Sequence, residues 1–285
     1  RQTPYNSYVA FGNSITHQYY ASSTQKAYAY LIGQHVQIPT VDKGVPGDQA
    51  ADQQDSIYPT IVGANNQLYT IMVGSNDVTK YGTNTDKQTN FQLFALADAA
   101  YLCIPDTFKV KGQSTKATYT GTWSDATSYY GGRISKQSNT NGDNISFSLS
   151  GTTLYIAYTM LDGNTGTANV VIDGGAAIPI TCYGTAGTAV LTGNGQTYGS
   201  ACLRVAGLSA GSHTVSITVT SSTSSSNQVI FDWAAGNAFA PMTDGPTVIE
   251  GQVPFRFTQS GFSSYNPLVD SNVARLKRDG LNIWE

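Results

Sequence analysis

Charge is what this 285-residue sequence has least of. Its 15 Lys and Arg and 18 Asp and Glu make up 12% of the chain, about half the share in an average soluble domain. The net charge of −3 provides no basic face for a nucleic acid. No apolar run reaches the length of a membrane-spanning helix. Cysteine is scarce too, and three residues make no disulfide framework. Cys182 and Cys202 flank a long stretch and could close a bridge worth on the order of 3 kcal/mol, whereas Cys103 ends an apolar helix and reads as a buried free thiol. No Cys/His set has zinc spacing and no Gly-Lys-Ser/Thr loop occurs, so neither metal nor cofactor is expected. Histidine is limited to His17, His35 and His213.

Gly, Ser, Thr, Asn and 18 tyrosines take the place of the missing charges. Such a neutral, aromatic profile suits extracellular proteins, secreted or virion-associated as in phage tails, that meet sugars through ring faces and polar groups. The length exceeds the common single-domain size, so one large or two modest domains are expected.

The chain is organised around Tyr8-Val9-Ala10-Phe11-Gly12-Asn13-Ser14-Ile15-Thr16. An apolar run reaches a small-residue turn, and a helix is expected from Ile15 to about Gly33. A serine at such a corner lies outside the carboxyl end of a strand, with its N–H at a helix start; as a plain N-cap it would need no other role. Two later stretches give it company. Lys43-Gly44-Val45-Pro46-Gly47-Asp48 follows a short strand over Ile38 to Val41, and Gly47 can offer a backbone N–H. Tyr69-Thr70-Ile71-Met72-Val73-Gly74-Ser75-Asn76-Asp77 repeats the opening pattern. If the three strands pair in parallel, Ser14, Gly47 and Asn76 meet at one edge as a nucleophile and two hydrogen-bond donors, the equipment for acyl transfer. His17, Asp48 and Asp77, beside them, are expected to touch substrate. The pairs Asp52/Asp55 and Asp42/Asp48 could mimic a glycosidase dyad, but read as solvated helix or loop charges.

In this order and spacing, Gly-Asn-Ser-Ile-Thr, Gly-Val-Pro-Gly-Asp and Gly-Ser-Asn-Asp resemble the first three blocks of the SGNH (GDSL-type) hydrolases. The resemblance implies a flavodoxin-like three-layer α/β fold. It also implies Ser14 as nucleophile, with Gly47 N–H and the Asn76 side chain in the oxyanion hole. Asn13 stands where the family usually has Asp, which implies tuning and no loss of mechanism. The family's fourth block, Asp-x-x-His, does not occur. His17 lies one helical turn from Ser14, in poor position to take its proton; His35 reads as a helix-end residue and His213 as a surface strand residue. The base, in an extension or fragment of the parent chain, is therefore expected beyond Glu285.

Between Pro105 and about Asn237 the pattern changes to short alternating runs separated by Gly, Asn, Asp and Ser, the mark of an antiparallel β-sandwich. An amphipathic helix over Asn266 to Arg278 and a strand from Leu281 to Trp284 then return to the first pattern. The expected organisation is an α/β hydrolase domain, residues 1–106 and 237–285, interrupted by a jelly-roll-like antiparallel β-sandwich, residues 107–236. The sandwich also resembles carbohydrate-binding modules that accompany such esterases. The expected activity is a serine esterase that removes O-acetyl or similar acyl groups from a polysaccharide, without nucleic acid or membrane span and with homo-oligomerisation left open. The alternative is a catalytically silent glycan-binding or adhesion module on an esterase scaffold.

Overall fold

Residues 5–18, 21–63, 67–126, 135–184, 198–238, 245–252 and 262–285 of the computed structural model are described below. They fall into two compact units: one holds the described residues up to Thr107 and those from 245 on, the other runs from Phe108 to Ala238.

In the first unit, Tyr8, Ala10 and Phe11 of strand β1 (Ser7–Gly12) are fully buried. Burial on both faces places a strand inside a helix-covered parallel sheet. β2 (Thr40–Gly44) and β3 (Gln67–Met72) flank β1 in parallel, with Gly12 opposite Gly44 on one side and Met72 on the other. β4 (Thr247–Glu250) joins β3, and β5 (Ile283–Trp284) joins β4, also in parallel. The order is β5-β4-β3-β1-β2, so all five carboxyl ends share one edge. Helix α1 (Tyr28–Val36) packs Ala29 over Tyr8, Ala10 and Leu68. After β2 comes α2 (Ala50–Ile57); after β3 come α3 (Ser75–Tyr81) and α4 (Thr85–Cys103). α4 packs on α2, on β4 and on α5 (Phe262–Arg278). Asn84 caps α4 by accepting the Lys87 N–H at 3.0 Å, the role Asn favours at a helix start. The apolar stripe of α5 buries Val269, Val273 and Leu276, and Tyr265 meets Phe91 at 5.0 Å between rings.

The expected helix from Ile15 to Gly33 is corrected. Residues 14–18 make a single turn, closed by His17 N–H on the Asn13 carbonyl at 3.1 Å, and Gln18 at φ 63° ends it. A short 3-10 turn over Thr24–Lys26 precedes α1. A left-handed residue cannot continue a right-handed helix.

The second unit is an antiparallel sandwich. One sheet runs Ile178–Thr181, Thr167–Ile172, Ser212–Val219, Asn144–Ser150, Thr118–Thr120. The other is centred on Thr153–Asp162 and Val229–Gly236, which pair with each other. Every second residue of Asn144–Ser150 faces inward, and Phe147 stacks on Phe231 at 5.3 Å. Period-two alternation thus builds a two-sheet core, as expected. Cys103, Cys182 and Cys202 are all free and buried, so the pairing left open for the last two does not form. Cys202 lies opposite Ala157, whereas Tyr183, the residue after Cys182, lies opposite Leu161. That offset along one strand is about 10 Å, beyond disulfide reach. The segment 185–197 between them lies outside the described residues.

Candidate active site at the carboxyl edge of the parallel sheet

Gly12 ends β1 at φ 153°, where a side-chain Cβ would stand 2.4 Å from the Met72 carbonyl oxygen and 2.1 Å from Thr16 Oγ1. Only glycine lets β1 turn this close to β3. Its N–H donates to Gln53 Oε1 at 2.9 Å and its carbonyl accepts from Val45 N–H at 2.9 Å. Asn13, fully buried, folds its Oδ1 back onto Ile15 N–H at 3.0 Å and donates Nδ2 to Ser75 Oγ at 2.6 Å. Ser14 sits on this pinned corner, 9% exposed. Its hydroxyl and its N–H have no hydrogen-bond partner among the described residues. Asn in place of Asp at position 13 thus supplies a donor that links the β1 and β3 turns.

The other two turns are tied to the first. Asp48 N–H donates to the Val45 carbonyl at 3.2 Å, with Pro46 and Gly47 between and Gly47 at φ 93°. This is the pattern of a type II turn, which asks for Pro and then Gly. The Gly47 N–H is exposed and unspent among the described residues. Asn76 is in the first turn of α3, after Gly74 at φ 100°, and donates Nδ2 to the Asp48 carbonyl at 2.8 Å. That bond uses one of its two amide hydrogens and leaves the other. Ser14, Gly47 and Asn76 therefore stand on three cross-linked turns at the ends of adjacent strands.

Asp48 and Asp77 are placed differently from the expectation, and their assignment to substrate contact is corrected. Asp48 is 3% exposed and accepts the Gln53 Nε2 at 2.5 Å; Asp77 is fully buried and accepts Ala50 N–H at the start of α2, 3.3 Å from Oδ2. Both carboxyls hold the turns rather than face a ligand. Burial pushes the Asp77 carboxyl up to about 7. Burial likewise raises Asp52 to about 6, against the N–H of Gln49 that it accepts at 2.9 Å. Asp48 and Asp52 are thus not the solvated charges their sequence suggested. Gln53 was missed altogether: it bridges the β1 end and Asp48, and the polar run Ala50-Ala51-Asp52-Gln53-Gln54 is buried throughout.

The histidines divide sharply. His17, half exposed, faces Asp42 Oδ2 through Nδ1 at 3.2 Å. It lies on the Ser14 turn, yet among the described residues no histidine is hydrogen-bonded to Ser14. His35 is exposed near the end of α1. His213 is 3% exposed, which corrects its reading as a surface residue. Its Nδ1 meets Asp173 Oδ2 at 2.6 Å, and its Nε2 meets the carbonyls of Gly151 at 3.0 Å and Ser209 at 2.9 Å. With both ring nitrogens engaged, it has none to lend to a reaction.

Residues 8–102 match the model of the GDSL-like lipase/acylhydrolase family. Among solved structures, a two-domain esterase (CEX) active on acetylated mannans is similar at 11% identity and TM-score 0.43, with 81% of this chain and 91% of that one covered. A family two carbohydrate esterase from Cellvibrio japonicus is similar at 14% identity and TM-score 0.33, over 48% of this chain and 33% of its own. The carbohydrate-binding module CBM35 from Cellvibrio japonicus Abf62 shares 16% identity over 46% of this chain and 98% of its own, at TM-score 0.33. This chain thus spans about a third of the Cellvibrio esterase. No curated protein matches it.

Proposed function

We propose that the chain is a serine esterase that removes O-acetyl or similar acyl groups from a polysaccharide outside the cell. The observation that carries the reading is the cross-linked set of turns: an unspent serine hydroxyl on a rigid corner, beside the unspent N–H of Ser14, the N–H of Gly47 and the remaining Asn76 amide hydrogen. Ser14 Oγ gives its proton to a general base as it bonds to the ester carbonyl carbon, the three donors take the developing oxyanion, the alkoxide leaves as the alcohol with that proton, and water, deprotonated by the same base, releases the acyl group from Ser14 as its acid. Fixed donors stabilise the charge of the transition state without reorganising. His17, half exposed beside the Ser14 turn, contacts the substrate from the rim. The acylhydrolase match over residues 8–102 supports acyl transfer. The choice of a neutral sugar ester over a lipid rests on the low charge and the 18 tyrosines.

Hydrolysis of para-nitrophenyl acetate and of an acetylated polysaccharide by the full-length protein, each with a Ser14→Ala control, tests the proposal. Turnover that survives in Ser14→Ala removes Ser14 as nucleophile. One observation favours a second reading, a glycan-binding module without turnover: no described histidine is bonded to Ser14. Glycan binding that persists in Ser14→Ala, with no turnover by the full-length protein, would establish it.

A further inference from the structure

One buried side chain grips two of the three turns at once. Gln53, on α2 and fully buried, accepts the Gly12 N–H on Oε1 at 2.9 Å and donates Nε2 to Asp48 Oδ2 at 2.5 Å. Gly12 lies two residues before Ser14, and Asp48 directly follows Gly47. The amide therefore reaches from the corner that carries the nucleophile to the turn that carries an oxyanion donor. Gly12 is held from its other side as well, where its carbonyl accepts Val45 N–H at 2.9 Å. Asp48 in turn takes Asn76 Nδ2 on its backbone carbonyl at 2.8 Å, which draws the third turn into the same chain of bonds.

Packing alone does not ask for an amide here. Ala50, Ala51 and Ile57 fill their buried places on the same helix with apolar side chains. A buried amide costs free energy that its hydrogen bonds must offset. Gln offers an acceptor and a donor on one planar group. An ionised Glu could take the Gly12 N–H but has no hydrogen for Asp48, and Met can do neither. The neighbouring acids turn to other N–H groups: Asp52 accepts from Gln49 at 2.9 Å, and Asp77 accepts from Ala50 at 3.3 Å. Spacing of this kind matters to a reaction, because a misplacement of about 1 Å can cost roughly 100-fold in rate.

We propose that Gln53 is a positioning residue of the Ser14 site, whose amide fixes the spacing between the Ser14 corner and the Gly47 turn. The inference rests on the esterase reading and adds to it the side chain that keeps nucleophile and oxyanion donor in register. Gln53 touches no substrate and acts through Gly12 and Asp48. Turnover depends on the bridge, because Ser14 Oγ must bond to the acyl carbon while the oxyanion lies against the Gly47 N–H.

The test compares kcat and KM for para-nitrophenyl acetate among full-length wild type, Gln53→Glu and Gln53→Met, from about pH 5 to about pH 9. Thermal melting checks that each variant folds. Gln53→Glu keeps the size and the acceptor but sets a second carboxyl against Asp48. Two carboxyls in contact share a proton in acid and repel each other once both ionise. Relative to wild type, the kcat of Gln53→Glu is expected to fall by about 10-fold to 100-fold from the acid to the alkaline end, with KM nearly unchanged. Gln53→Met removes both bonds and is expected to lose about 10-fold or more in kcat at every pH. A Gln53→Glu loss that does not vary with pH, or the wild-type kcat in either variant across the range, overturns the proposal and leaves the esterase reading intact. Should Gln53→Glu fail to fold, Gln53→Met decides alone: a lower kcat at constant KM supports the role, and the wild-type kcat removes it. Absence of turnover in wild type, or its survival in Ser14→Ala, sinks the esterase reading and this inference with it.

Discussion

The two units bury acids in opposite ways. In the sandwich Asp232, Asp143 and Asp173 are each met by donors. Asp232 takes the hydroxyls of Ser135 at 2.6 Å, Ser200 at 2.6 Å and Thr159 at 3.0 Å. Asp143 takes Ser138 and Thr122, and these bonds outweigh its burial and hold it below the usual carboxylate range. Asp173 is held low by His213 and by Thr214 N–H. In the α/β unit, Asp52, Asp77 and Glu250 are buried with too few donors, and all three are pushed up. The first pattern contributes stability and the second costs it. A unit that keeps costly groups at one edge of its sheet is organised for chemistry, whereas the other is organised to hold its shape.

The largest effect expected from this contrast is in the sandwich. Asp232→Ala strips three buried hydroxyls of their acceptor, and bonds to a charged group carry roughly 1.5–3 kcal/mol each before relaxation. A loss of about 3 kcal/mol or more is expected in chemical denaturation. A loss under about 1 kcal/mol would mean that the hydroxyls find other partners and that the two units do not differ in the way described.

Next comes Asn76→Ala, where the expectation is a fall in ester turnover of about 100-fold or more with little change in melting temperature. Its bond to the Asp48 carbonyl ties two turns, so a modest loss of order at Gly47 would accompany it. Turnover within a few-fold of wild type would take Asn76 out of the oxyanion hole.

The comparison also shows what the sequence made legible. The strand–Gly–Asn–Ser corner, its repeat at Gly74-Ser75-Asn76 and the alternation in the sandwich strands are local patterns, and the structure places all of them where the pattern says. What escaped the sequence depends on partners far along the chain. Gln53 and Asp52 look like an exposed polar helix until Gly12 and Gln49 offer their N–H groups. His213 looks like a surface strand residue until Asp173, 40 positions earlier, closes on it. The break at Gln18 was hidden because no proline or glycine marks it. Glu250 follows Val248 and Ile249 with no sign that the strand end is sealed.

Asp77→Asn should have a smaller effect, of opposite sign to the change at Asp232. The carboxyl is raised to about 7 in the folded unit from an ordinary value near 3.8. The folded state therefore binds the proton more tightly, and stability falls as pH climbs from about 4 through 7. An amide still accepts the Ala50 N–H and carries no charge to bury. The variant should match wild type near pH 4 and exceed it in stability at pH 8. A variant less stable than wild type at pH 8 would show that ionised Asp77 supports the turn.

The smallest expected effect returns to the sandwich and runs through His213. Both ring nitrogens face acceptors, Asp173 on one side and the Gly151 and Ser209 carbonyls on the other, so the arrangement suits the doubly protonated ring. The bond to Asp173 raises the folded pKa above the ordinary value of 6.5, against the burial that lowers it. The sign follows: the contribution is fully present below about pH 6.5 and is lost as pH rises through the higher folded value. His213→Gln should lower stability by about 1 kcal/mol below pH 6, and the gap should close in alkaline solution. A gap independent of pH would mean that the ring matters for its packing and not for its charge, and the sandwich would then keep one polar group whose bonds do not account for its burial.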